Sequence, residues 1–387
     1  MQKTNYQFAY HVSQIAKLMY LGQTSKIKSY AATIDEKMQE KLHPWLSYTL
    51  ANAHIGYPRD QGFQLSDHEA CTMGWQAYYQ HDYLIAHAYF VQAIENQDWQ
   101  KFALNSALGL AKVYTRTGHW LAARDWCLYY LSVARQQSYH FEVAKGYGAL
   151  AEIFLRASYA NEALACFQTA YHLMPLGQGQ QSRQYNFMAS ALMRNKEALR
   201  AEVLLHTSRQ ISRNILEIDP ENQEALASLC HSTMRFYYLN SLQFDGYEPA
   251  AINTADERLM ARIDVNNALI AAPLGLLQVA KGIACLPQDM TKAASHFAQA
   301  MRQFTPALVT EYQWAERLNA SCLAGAASVD NKALKELFSL QAIAPPTIDI
   351  VLDQTWQKVP LDNQGFLPLL NAKTPTQLAD LWTLFFI

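Results

Sequence analysis

The sequence predicts an all-α fold in which antiparallel helix pairs stack into a curved superhelix, an α-solenoid. Three observations carry this. Apolar residues recur at helical spacing along most of the chain. Small and aromatic residues interlock along those stripes and return at intervals of nearly forty residues. Alternating β-branched runs, the mark of strands, are nearly absent.

In chain order the reading gives five regions. Residues 1–62 form an N-terminal helical cap, and 63–182 hold three clear repeat units. Residues 183–257 are long helices with one degenerate unit, 258–345 hold further degenerate units, and 346–387 form a C-terminal capping segment.

The third clear unit is the most regular. Tyr147, Leu150, Ala151 and Phe154 fall at i, i+3, i+4 and i+7, one stripe of a helix. LRASYANE supplies a turn, and Ala163, Phe167 and Ala170 make the facing stripe. Small residues let the backbones approach while the aromatics fill the remaining space. Pro175, lacking an N–H, stops the run. Leu110, Ala111, Tyr114, Gly118, Trp120 and Ala123 repeat the pattern upstream, with Gly118 free to take positive φ. Gly74, Ala86, Phe90 and Ala93 repeat it again, after a capping box of Ser66 and Glu69.

Beyond residue 175 the pattern weakens. GQGQQS (177–182) and 245–257 read as loops. Pro220 separates two helices, and Ala225, Leu226 and Leu229 open the second of them. Ala293, Phe297 and Ala300 mark one later helix, and Ala333, Leu337, Leu340 and Pro345 another. Thr374-Pro375 reads as a helix start. Leu378, Leu381, Trp382 and Phe385 are placed to close the open end of the stack.

These residues resemble the tetratricopeptide repeat, in a lengthened form similar to that of bacterial maltose-activator-type and peptide-sensing regulators. Eight positions match in the third unit: Tyr147, Leu150, Ala151, Phe154, Ala163, Phe167, Ala170 and Pro175. The resemblance implies a non-enzymatic scaffold that binds a peptide or partner-protein segment in a groove lined by the first helix of each pair. Carried over by register, the groove positions are Trp75, Tyr78 and Tyr79, then Lys112 and Arg116, then Glu152, Leu155 and Arg156, then His231 and Arg235. Arginine with aromatic anchors suits a binding hot spot, the apolar groups burying a partner's side chains and the arginines fixing its carboxylates or carbonyls. The Lys/Asn clamp that some members use for a chaperone's C-terminal carboxylate is not reproduced, because Leu108 and Lys112, then Gly148 and Glu152, stand at its positions.

Composition narrows the partners. Half of the residues are apolar, enough for a continuous core, and 17% are charged, below the usual quarter. A net charge of −2 argues against a general nucleic-acid binder, so no direct nucleic-acid partner is expected. An N-terminal helix-turn-helix is disfavoured, since VSQIAKLMYLGQTSKIKSYAA lacks a recognition helix with several outward cations. No secretory signal or membrane span is evident, and LADLWTLFFI is too short to cross a bilayer. The six cysteines, Cys71, Cys127, Cys166, Cys230, Cys285 and Cys322, contain no C-x-x-C pair, which suits reduced thiols in a cytoplasmic protein.

No phosphate loop, H-E-x-x-H or G-x-S-x-G occurs, and neither cofactor, metal nor catalytic residues are expected. The sharpest enzymatic pattern is His81-Asp82 with His54, as in helical metal-dependent phosphohydrolases. Its position at a helix-pair turn explains both residues without a metal. A regulatory or sensory module that binds a small ligand or signal peptide is the principal alternative to the scaffold.

Overall fold

The periodic stripes become helices. In chain order these are α1 (Ser25–Ala31), α2 (Asp67–Tyr79), α3 (Tyr83–Glu95), α4 (Gln100–Thr117), α5 (Trp120–Gln136) and α6 (His140–Arg156). Then come α7 (Ala160–Leu173), α8 (Gln178–Arg194), α9 (Ala198–Ile218), α10 (Gln223–Ser241), α11 (Ala255–Met260) and α12 (Ala268–Cys285). The remainder are α13 (Met290–Gln303), α14 (Val309–Cys322), α15 (Lys332–Phe338), α16 (Gln354–Gln357), α17 (Leu367–Asn371), α18 (Pro375–Ala379) and a 3-10 turn (Asp380–Leu384). The computed structural model describes residues 11, 25–36, 38–39, 67–95, 100–136, 140–173, 178–242, 244, 247, 255–260, 268–304, 308–323, 332–346, 354–361 and 365–385. Among these no strand occurs, so the all-α expectation holds.

From α2 to α10 each helix packs on the next in sequence, and the row continues through α12, α13 and α14. Helices α2, α4, α6, α8, α10 also touch in succession. They therefore form one continuous surface, the first-helix face.

The turns explain the pairing. His81, Gly118, Ser158 and Lys196 all have positive φ, each at the end of a first helix. The next residue in each case, Asp82, His119, Tyr159 or Glu197, bonds back to the carbonyl of Ala77, Tyr114, Phe154 or Leu192. That six-to-one bond is a Schellman closure, which turns the chain sharply and satisfies an orphan carbonyl. Four residues further on, Ala86, Ala123, Ala163 and Ala201 are each fully buried. The pair α8–α9 is thus a fourth copy of the same hairpin, in a region where the sequence pattern looked degenerate.

Aromatic rings seat in backbone notches. Phe90 lies between Gly74 and Gly109, where an added Cβ would fall 2.6 and 2.4 Å from its ring. Gly282 against Phe297 and Gly275 against Phe304 repeat the device in α12 and α13. Tyr147, Leu150, Ala151, Phe154, Ala163, Phe167 and Ala170 are all buried, as their spacing predicts.

Some boundaries differ from the sequence reading. Helix α8 begins at Gln178, so residues 178–182 are helical, not a loop, and a division at 182 falls inside the helix. A division at 257 falls inside α11. Helix α15 ends at Phe338, leaving Leu340 in a stretch without regular secondary structure. Ser66 and most of 1–62 and 245–257 lie outside the described residues, as do His54 and the Glu69 side chain. The expected start at Thr374 is present as a full capping box with Gln377, with Pro375 in the first turn.

The C-terminal segment does more than close an end. Phe385 stacks on Trp314 of α14 at 4.3 Å, and Trp382 meets Tyr238 of α10 at 4.5 Å. The 3-10 turn also packs on α6. No helix among the described residues is long and apolar enough to cross a membrane.

Candidate functional site

The first-helix face carries its charges at helix ends. Arg116 and Arg156 occupy the last turns of α4 and α6, where a cation opposes the carbonyl end of the helix dipole. Arg116 donates through Nε to the Tyr78 hydroxyl at 3.4 Å and faces Glu311 of α14 at 3.6 Å. Lys112 pairs with Glu152 at 3.5 Å. Arg235 donates from Nε to Ser190 Oγ at 2.7 Å and from Nη1 to the His231 carbonyl at 3.1 Å.

Burial sets the electrostatics. It pulls the Arg156 guanidinium down to about 10, with the Arg116 charge adding to the effect. Burial likewise pulls Arg235 down to about 9, helped by Arg183. His231 is held well below the ordinary imidazole range by burial and by Arg235, Arg183 and Arg116, so it is neutral at pH 7. Burial pushes Glu152 up, but Lys112, Arg183, Arg116 and Arg156 outweigh it and keep the carboxyl low.

The structure thus brings Tyr78, Lys112, Arg116, Glu152 and Arg156 into one electrostatic group, which meets His231 and Arg235 through Arg116 and Arg183. Trp75 and Leu155 are a correction to the register reading. Trp75 is 3% exposed, its ring against Phe90 and Tyr78, and Leu155 is fully buried. They are core residues and present no surface for a partner. The side chain of Tyr79 lies outside the described residues.

Sequence reasoning missed a second set of groups along the edge where helix pairs turn. Ile343, in the stretch 340–346 that has no regular secondary structure, is gripped on both sides. Its N–H donates to the Tyr114 hydroxyl at 2.9 Å, and its carbonyl accepts from Trp126 Nε1 at 2.8 Å. Arg124 Nη1 reaches the carbonyls of Gln357 and Val359, both at 3.0 Å. The Tyr159 hydroxyl donates to the Pro360 carbonyl at 2.7 Å, and Trp314 Nε1 to that of Leu378 at 2.7 Å. Arg156 Nη1 donates to the Leu384 carbonyl. Between these points Gly365, at φ 48°, presses on Gly118. A Cβ on Gly365 would lie 2.7 Å from the Gly118 carbonyl oxygen. The available signal was a cluster of Tyr, Trp and Arg near the turns, residues with an apolar body and a polar tip.

His81 and Asp82 lie in the α2–α3 turn, where the Asp82 carboxylate accepts from the N–H of Ile85 at 3.3 Å and His81 Nδ1 bonds the Tyr83 hydroxyl at 3.1 Å. Among the described residues no three His, Cys, Asp or Glu side chains are grouped to hold a metal.

In comparisons with known proteins, no family model matches the chain and no curated protein matches it significantly.

Proposed function

We propose that this chain is a non-enzymatic, tetratricopeptide-like scaffold that captures an extended segment of a partner protein. The observation that carries this is how the chain holds its own residues 340–346, 354–361 and 365–384. Side-chain hydrogen-bonding groups from the turn edge and first-helix face, all donors except the accepting Tyr114 hydroxyl, engage main-chain groups of Ile343, Gln357, Val359, Pro360 and Leu384. Such contacts read the backbone of a guest and not its side chains, and each contributes only about 0.5–1.5 kcal/mol, so one segment can replace another. A curved α-solenoid and a cytoplasmic setting belong to the same proposal. The free thiols of all six cysteines are in keeping with that setting.

A peptide-display selection on the purified chain tests it. The expected outcome is recovery of binders that raise amide exchange across 340–346 and 354–361 as they displace the resident segment. Their affinity should fall about tenfold in Trp126→Phe or Tyr159→Phe, the loss of one charge-free hydrogen bond in a desolvated contact. A folded protein that yields no binders, or binders indifferent to both substitutions, removes the reading.

A regulatory module switched by a small ligand is the second reading. It is favoured by the guanidinium of Arg156, which is buried with part of its hydrogen-bonding capacity unmet.

A further inference from the structure

Arg156 is 2% exposed. Its Nη1 serves the Leu384 carbonyl, while Nε and Nη2 are buried and have no hydrogen-bond partner among the described residues. Those two nitrogens form one edge of the guanidinium. Their N–H groups point in parallel, at the separation of two oxygens on one carboxylate or phosphate. Buried donors of a charged group are almost always matched, so an unmatched edge points to a missing acceptor.

Glu311 and Glu152 act on Arg156 through their charge, but among the described residues neither accepts a hydrogen bond from its Nε or Nη2. Glu152 pairs with Lys112 at 3.5 Å. Glu311 presents one oxygen to Arg116 at 3.6 Å and accepts from the Thr310 hydroxyl with the other at 2.5 Å. Burial pushes the Glu224 carboxyl up, against the Arg183 charge. Around Glu152 and Glu311 stand the cations Lys112, Arg116, Arg156 and Arg183, and Arg183 also acts on Arg235. His231 adds no positive charge, and its Nδ1 is also buried without a partner among the described residues.

The cations differ in exposure. The side chains of Lys112 and Arg116 are 21% and 25% exposed, and Arg183 is exposed, whereas Arg156 and Arg235 are buried. Surface cations beside enclosed ones concentrate an anion and draw it inward.

We propose that the Nε–Nη2 edge of Arg156, with the partly exposed Arg116 beside it, binds the oxyanion group of a small ligand, a carboxylate or a phosphate. The inference deepens the ligand-switched reading of the same face. It also ties the ligand to the C-terminal segment, because one guanidinium would hold both the anion and the Leu384 carbonyl. The low position of the Arg156 guanidinium supports the assignment, since an added anion would restore its ordinary value.

Calorimetric titration of the full chain tests this, using inorganic phosphate and succinate separately against sodium chloride at matched ionic strength. A saturable response to phosphate alone assigns a phosphate ligand, and one to succinate alone a carboxylate. A response to both supports the shared site. Arg156→Lys keeps the charge but removes the two-pronged edge, and should weaken binding about tenfold or more. If that variant does not fold, Arg116→Gln should weaken it severalfold. No response beyond chloride, or equal binding by the folded variant and the parent, overturns the proposal. Peptide capture through Trp126 and Tyr159 does not use this edge, so a failure here leaves the scaffold reading standing, and the converse also holds.

Discussion

Two seams between neighbouring helices solve the same packing problem with opposite chemistry. Where α2, α3 and α4 meet, the seam is apolar and Phe90 fills the gap between Gly74 and Gly109. Where α8, α9 and α10 meet, the seam is made of hydroxyls. Ser182 Oγ lies 2.8, 2.9 and 2.6 Å from the hydroxyls of Ser208, Ser212 and Ser228. Ser208 continues to Ser232 at 2.9 Å, and Ser232 donates to Asn186 at 2.9 Å. All of these residues are buried. Small side chains allow close helix approach in both cases. The apolar seam gains from area removed from water, whereas the hydroxyl seam only recovers what its groups lose on leaving it. The second seam is therefore the weaker per residue and the more selective in register, because a slipped helix leaves buried hydroxyls unmatched.

The largest effect should come from emptying the apolar notch. Phe90→Ala is expected to cost about 3–5 kcal/mol, since the two glycines cannot collapse onto the vacated ring space. A denaturant midpoint unchanged by this substitution would show that the notch is not closely packed. The flank of the hydroxyl seam provides the next test. Asp256 is buried and takes charge-assisted bonds from Arg209 and from Arg213 Nε at 2.8 Å. Asp256→Ala leaves Arg209 buried and unpaired and should cost about 3 kcal/mol or more. Thermal unfolding within a degree or two of the parent would count against that pairing.

Within the seam itself, Ser182→Ala should cost about 1–3 kcal/mol, because Ser208, Ser212 and Ser228 lose a shared partner. Adding Ser228→Ala should cost less than the sum, and strict additivity would argue that the hydroxyls do not form one network. The smallest effect is acid sensitivity at the turn edge. His87 Nε2 lies 2.9 Å from the Tyr114 hydroxyl, which also accepts from Ile343. Burial, then His119, lowers the His87 pKa. The folded protein therefore takes up this proton later than the unfolded chain does. Stability should be full above the ordinary imidazole value of about 6.5 and should fall as pH drops from there through the lowered folded value. His231, lowered further, acts in the same sense. A double His87→Gln, His231→Gln variant should flatten this slope between neutral and mildly acid pH. An unaltered slope would place the proton uptake elsewhere.

The contrast also marks what the sequence could reveal. Ala151, Phe154, Ala163 and Phe167 were legible because size alternation at helical spacing is local and survives without knowledge of neighbours. The fourth hairpin was not, because Leu192, Leu205 and Ser208 stand where Phe154, Phe167 and Ala170 stand in the third pair. The buried Ala189 and Ala201, placed as Ala151 and Ala163 are, keep the signature there. A serine looks the same in a sequence whether it meets water or another serine, so the hydroxyl seam gave no signal. At the site, register placed Lys112, Arg116, Glu152 and Arg156 on one face. It also put Trp75 and Leu155 there, because outward positions of an isolated pair become interior once the next pair and the C-terminal segment pack against them. Glu311 and Leu384 lie too far along the chain from Arg116 and Arg156 for any periodicity to connect them.

The contact between Gly118 and Gly365 has a consequence for how the chain is made. A ribosome releases the second hairpin long before it releases the residues that cover it. The donors of Trp126 and Arg124 and the accepting Tyr114 hydroxyl must therefore wait unmet while some two hundred further residues are synthesised. During that interval any passing extended polypeptide meets the same groups, so a nascent chain would be at its most receptive to guests, or to misassembly, before its own ending arrives.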